Sequence, residues 1–172
     1  DLGVSSYHFD YAERGFSFNG NAKIDMRFDQ TRGQTASDWL NSASESDIAD
    51  VIWKYGEEKY SRRIAKKIVS ERNSAQITTT LELANLVNNI IPYTKNRKHK
   101  ATKTFQAIRI YTNNELDILK KTLFKSYSIL APKGRLVLIT YHSLEDKVIK
   151  DFIKHTDKRY SIPKNLPIKE EF

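Results

Sequence analysis

Arg135-Leu136-Val137-Leu138-Ile139-Thr140-Tyr141-His142-Ser143-Leu144-Glu145-Asp146-Lys147 is the stretch whose reading decides the fold. Pro132-Lys133-Gly134 in front of it are turn residues, and the apolar run from Leu136 to Ile139 is unbroken. A short apolar run between turn signals reads as a buried strand of a parallel sheet covered on both faces. Ser143 follows as the expected helix N-cap. Asp146 completes a variant capping box with it, and Glu145 is favoured beside the positive helix end. Leu144, Val148, Ile149, Phe152 and Ile153 then fall on one stripe at helical spacing. Strand, polar turn and helix make the half-unit of an α/β sheet, and ligands gather outside the carboxyl ends of such strands. His142 and Ser143 are therefore candidate site residues.

The first residues, Asp1-Leu2-Gly3-Val4-Ser5-Ser6, read the same way, as the end and exit loop of a strand. The expectation is a fragment that lacks the opening of its sheet. Residues 7–34 carry Gly, Asn, Asp and Arg with little periodicity and read as a long ordered loop pinned by its aromatics. From Thr35 to Pro92 the pattern is helical throughout. A first helix carries Trp39 and Leu40, and a second starts at Ser44, turns Ile48, Val51, Ile52 and Tyr55 inward and stops at Gly56. A third runs Glu57 to Arg72, and a fourth is capped by Thr79 or Thr80 and ended by Pro92. This span reads as a compact all-α unit inserted into an α/β domain. Asn113 or Asn114 opens a longer helix, the crossover that feeds the strand at Arg135. Beyond His155 no regular structure is expected.

Composition narrows the chemistry. Lys and Arg outnumber Asp and Glu by 29 to 21, for a net charge of +8, which suits a polyanionic partner. Two basic features stand out. One is the stripe of Lys59, Arg62, Arg63, Lys66 and Lys67, which is either a solvated face or a phosphate contact. The other is Lys95 to Arg109, which contains Lys95, Arg97, Lys98, Lys100, Lys103, Arg109 and no acidic residue. The absence of cysteine excludes disulfides and thiolate metal sites and fits a reducing, cytoplasmic setting. It also argues against methylation at pyrimidine carbon-5, which needs a thiolate to add to the ring. His8, His99, His142 and His155 show no metal-ligand spacing, so no metal is expected. No apolar run reaches the roughly 18 residues of a membrane span, and no Gly-x-Ser-x-Gly elbow marks a serine hydrolase.

A set of motifs carries a closer resemblance. Asp1-Leu2-Gly3-Val4-Ser5-Ser6, Ala12-Glu13-Arg14-Gly15-Phe16-Ser17-Phe18, Asp25-Met26-Arg27 and Thr31-Arg32-Gly33-Gln34 stand in order. They are followed by Gly56-Glu57-Glu58-Lys59, Ala101-Thr102-Lys103-Thr104-Phe105-Gln106-Ala107-Ile108-Arg109 and Tyr141-His142-Ser143-Leu144-Glu145-Asp146-Lys147. Together they resemble the bacterial small-subunit ribosomal RNA cytosine-N4 methyltransferase family (RsmH/MraW), across nearly the whole chain.

The resemblance implies an α/β, class I (Rossmann-like) fold for S-adenosylmethionine, interrupted by an all-α domain and without the first strands of its sheet. Residues 1–12 would be the exit of the fourth strand, 13–98 the loop and helical substrate-recognition insert, and 99–172 the methyltransferase domain resumed. Cofactor contacts would fall on Asp1 and on His8, where the family has a Gln. A His offers one donor or one acceptor edge in place of an amide's pair. Without the missing strands the fragment is expected to bind the cofactor poorly and to be inactive.

Asp1, Ser5 and His142 are the catalytic candidates, with Ser5 and Ser6 otherwise shaping a turn or capping a helix. Arg32, Arg62, Lys66, Lys103 and Arg109 are the candidate RNA contacts. The partner would be small-subunit ribosomal RNA, with no membrane; a homodimer is compatible with the reading. The alternative is a non-catalytic RNA-binding module built on the helical insert and the Lys95–Arg109 segment.

Overall fold

The computed structural model describes residues 3–18, 20–93 and 99–157, and every regular element among them is helical. The order is α1 Ser6–Asp10, a 3-10 turn Ala12–Arg14, α2 Ala36–Ser42, α3 Glu45–Gly56, α4 Ser61–Arg72, α5 Thr80–Ile90, α6 Thr102–Thr112, α7 Glu115–Ile129 and α8 Ser143–Thr156. Residues 7–34 are thus not all loop.

The α/β, Rossmann-like expectation is corrected: the described residues contain no strand, and their one β-bridge is the isolated antiparallel pair Lys23–Thr79. Among the described residues the run Leu136–Ile139 has no ladder partner, and Val137 is 81% and Ile139 52% exposed. Leu138 alone in that run packs against buried side chains. An apolar run states that its side chains gain by leaving water. It does not supply the second strand on which the backbone N–H and C=O groups must pair.

The chain divides into two compact units. The larger is Val4–Asn114. The other is built from residues on both sides of it, of which Gly3 and residues 115–157 are described. In the larger unit α3 packs along both α4 and α6. Ile48 and Ile52 of α3, Ile64 and Ile68 of α4, Leu83 and Val87 of α5 and Ile108 of α6 are fully buried in one core. Three helices of this unit start on side-chain caps. Thr35, Ser44 and Thr79 each accept from the backbone N–H three residues on, whereas α4 begins at Ser61 after Tyr60 without a side-chain cap. At Thr79 the box closes with the Glu82 carboxylate accepting the N–H groups of Thr78 and Thr79, each at 2.9 Å. Those two bonds hold the Glu82 carboxyl below its ordinary pKa.

The segment before α2 is threaded into this core. Phe16, Ile24 and Met26 are buried. Ile24 donates its N–H to Thr78 O at 3.0 Å, and the Ile24 and Asp25 carbonyls accept the N–H groups of Ser37 and Ala36 at the start of α2. Gly15 makes the entry turn at φ 73°, where a Cβ would collide with the Lys23 carbonyl and lie 2.6 Å from Asp25 N. In the smaller unit, α7 and α8 meet through Leu119, Leu123 and Phe152, with Phe124 edge-on to Phe152 at 5.2 Å.

Gly56 lets α3 and α6 approach: a Cβ there would sit 2.5 Å from the Lys103 carbonyl and 3.2 Å from Ala107 Cβ. Gly56→Ala is therefore expected to destabilise the fold by about 1–3 kcal/mol, as overpacking does. The urea midpoint should fall at unchanged slope; an unaltered midpoint would show that the helices can part without cost.

Candidate functional site

The residues of the larger unit that converge on His8 come from three places in the sequence. Ser5 is the N-cap of α1, with φ −95° and ψ 166°. Its N–H lies 3.2 Å and its hydroxyl 3.0 Å from His8 Nδ1. A backbone N–H can only donate, so Nδ1 is the acceptor and the neutral ring carries its proton on Nε2. The Ser5 carbonyl accepts the His8 N–H at 3.1 Å.

The His8 ring lies between Phe16 and Phe28, each 5.1 Å away, and those two rings stack on one another at 5.6 Å. Burial pushes the His8 pKa down, and the positive charges of Arg14 and Arg109 push it further. Arg14 reaches across the loop, donating from Nη2 to the carbonyls of Arg27 at 2.9 Å and Phe28 at 3.0 Å. Its Nε is buried without a hydrogen-bond partner among the described residues. Asn113, at the end of α6, closes the arrangement. Its Oδ1 accepts the Phe28 N–H at 2.7 Å, and its Nδ2 donates to Met26 O at 2.7 Å and Arg109 O at 2.9 Å.

Below this group the loop is knitted by ion pairs. Arg27 grips both oxygens of Asp25, at 2.7 and 2.9 Å, and donates onward to Gly33 O at 3.0 Å. Burial works to raise the Asp25 carboxyl, but the hydrogen bonds of Arg27 and Gln30 outweigh it and leave the pKa lowered. Asp29 is pulled down to about 2 by hydrogen bonds from Thr31 and Arg32.

The sequence candidates therefore separate. Ser5 and His8 are in contact, and Arg109 acts on His8 electrostatically. Arg32 is exposed but paired with Asp29 at 2.6 Å. Arg62 and Lys66 lie on the exposed face of α4. Lys103 is exposed at the start of α6 and donates to Glu57 O at 2.9 Å. Asp1 and Lys95–Lys98 lie outside the described residues. Sequence reading placed none of Arg14, Phe16, Phe28 and Asn113 in the site: the loop's aromatics were expected as anchors, and Asn113 or Asn114 as the start of a helix, whereas Asn113 ends α6.

His142 belongs to the smaller unit, where it replaces Ser143 as the N-cap of α8. Its backbone is extended at φ −149° and ψ 162°, and Nδ1 accepts the Glu145 N–H at 3.4 Å. The Glu145 carboxylate turns back to accept the Tyr141 N–H at 2.9 Å and lies 3.3 Å from His142 Nε2. The box is shifted by one residue because Glu145 is buried and reaches backward. Asp146 points instead to Lys150, at 2.7 Å.

The sequence model of the MraW methylase family matches residues 1–172. The chain belongs to that family. As an MraW-family protein it is assigned to the methyltransferases. Among the described residues of this MraW-family chain, no helix is long and apolar enough to cross a membrane. Nor do three His, Asp or Glu side chains gather there as a metal site would require.

The lowered His8 pKa has a pH consequence. The fold favours the neutral ring, so its contribution is complete above the unfolded value of about 6.5. It is lost as pH falls from there through the lower folded pKa. Unfolding midpoints measured from neutral to acid pH should drop across that window, and less so in His8→Gln. An NMR titration placing His8 at or above the ordinary value would overturn this.

Proposed function

We infer that this MraW-family chain serves the transfer of a methyl group from S-adenosylmethionine to the exocyclic N4 amine of a cytidine in small-subunit ribosomal RNA. One observation carries the reading: the family match runs over residues 1–172. The absence of cysteine supports nitrogen over ring carbon-5 as the target. A net charge of +8 and the exposed cations of α4 support a polyanionic substrate. The proposed setting is cytoplasmic.

The residues around His8 fit one part of such a methyl donor. The Nε2–H of His8 is a single hydrogen-bond donor, and the positive charges of Arg14 and Arg109 suit a carboxylate and oppose a sulfonium. Asp25, the carboxylate within the group, is held on both oxygens by Arg27. Asp1 is the proposed carboxylate for the charged end. When bound, S-adenosylmethionine supplies an electrophilic methyl group.

Cytosine N4 is a weak nucleophile because its lone pair is delocalised into the ring. The protein's task is then chiefly positioning, with the reacting atoms about 3 Å apart and in line. An acceptor for the amine hydrogens draws the nitrogen toward tetrahedral geometry and stabilises its developing positive charge. The Ser5 carbonyl already accepts from His8. A carbonyl oxygen has a second lone pair, so Asp1 and the carbonyls of Gly3, Val4 and Ser5 are the proposed acceptors, while the proton departs to water. His142 is proposed to line the base pocket. The base must leave its stack to react, which favours a loop or single-stranded cytidine.

The full-length protein, given labelled S-adenosylmethionine and small ribosomal subunits, should place label on N4 of a cytidine. Label on carbon-5, or on no RNA, rejects the reading. In the same assay Asp1→Ala should lower turnover by at least about 100-fold, the scale set by losing one transition-state contact. Wild-type turnover would remove Asp1 from the site.

A further inference from the structure

Trp53 is 60% exposed, whereas the chain's other tryptophan, Trp39, is 7% exposed and packs on Tyr111 at 4.6 Å. The packing of α3 does not explain that exposure. Its inward face is complete with Ile48, Val51 and Ile52, all buried. An indole left in water forfeits a large apolar burial, and tryptophan is enriched at interfaces, where one end of the ring is apolar and the other wet.

Trp53 borders a cleft of about 350 Å³ between the second half of α3 and the start of α4. Lys59, Arg62 and Arg63 line the same cleft, against one carboxylate, Asp50, for a local excess of two positive charges. Two of these cations are steered by one ring: Lys59 Nζ lies 5.0 Å and Arg63 Cζ 5.7 Å from the centre of Tyr60. An aromatic plane beside two or three fixed cations combines a surface for a base with partners for the adjoining phosphates.

We propose that this cleft is a stacking site for single-stranded RNA, with one base on Trp53 and the flanking phosphates on Lys59, Arg62 and Arg63. The proposal rests on the RNA reading above and names a place on the helical unit where the strand is gripped. It lies on different elements from the His8 group, so it serves affinity and not the reacting atoms. An acidic peptide would meet the same cations but offers no flat ring for the indole, which is why a nucleic acid is favoured.

The test uses the intrinsic fluorescence of the full-length protein and compares the parent with Trp53→Ala, so that the difference isolates this indole. A single-stranded RNA oligonucleotide should quench the parent. Trp53→Ala should bind it about 5- to 140-fold more weakly, which is 1–3 kcal/mol for one stacked base at 1.4 kcal/mol per tenfold. Trp53→Phe, which keeps a ring, should recover most of the loss. Removing both Arg62 and Arg63 should flatten the dependence of log K on log salt by about 1.4, from roughly 0.7 per phosphate contact on a single strand.

Unchanged RNA affinity in Trp53→Ala, or equal quenching by a polyglutamate peptide, would overturn the cleft. If the parent methylates RNA in either case, the proposed function survives without it. A parent that neither binds nor methylates RNA would sink both.

Discussion

Asn113 ties together parts of the chain that are far apart in sequence. One amide accepts from Phe28 and donates to Met26 and Arg109, so the loop of residues 25–34 is fastened to the last turn of α6. Each such bond contributes about 1 kcal/mol net, yet leaving a partly buried donor or acceptor unmatched costs about 1–3 kcal/mol. That asymmetry makes the register of the loop all but obligatory. With Met26 at φ 59° and its side chain fully buried, the backbone turns so that Phe28 faces His8. The aromatic group, the reach of Arg14 to the Phe28 carbonyl and the surroundings of His8 all follow from this fastening.

The electrostatics of the group follow from the same placement. Arg14 is committed to two carbonyls and Asp25 to Arg27, so charges that could pair freely are held apart in fixed roles. His8 is left as a neutral ring among positive charges, and its unprotonated nitrogen is taken by Ser5. The other nitrogen, Nε2, carries the ring's proton and is a single donor. The cations of α4 behave differently. Lys67 pairs with Glu71 and Arg63 lies over Tyr60, so the basic stripe is not one uniform solvated face.

Much of the larger unit was legible because its signals are local. Thr35, Ser44 and Thr79 are caps whose hydroxyls act within three residues, and the apolar positions of α3 and α5 repeat at helical spacing. The errors arose where a local signal had two outcomes. Glu57 takes a left-handed conformation at φ 50° after α3, and the next helix waits until Ser61. At α8 both Glu145 and Asp146 are good first-turn acids. Burial of Glu145 decides between them and moves the cap from Ser143 to His142.

By itself the sequence determined the helices between Thr35 and Pro92, the chain's basic character and its membership of a methyltransferase family, since each is written in neighbouring residues or in ordered motifs. The tertiary structure decided that Leu136–Ile139 stands unpaired among the described residues. It also decided that Ser5 bonds to the His8 ring, and that Phe28, Arg14 and Asn113 gather around it. Hydrogen bonds between residues about 85 positions apart, as between Phe28 and Asn113, leave no periodic trace in either segment. A strand, likewise, exists only when a second one lies beside it.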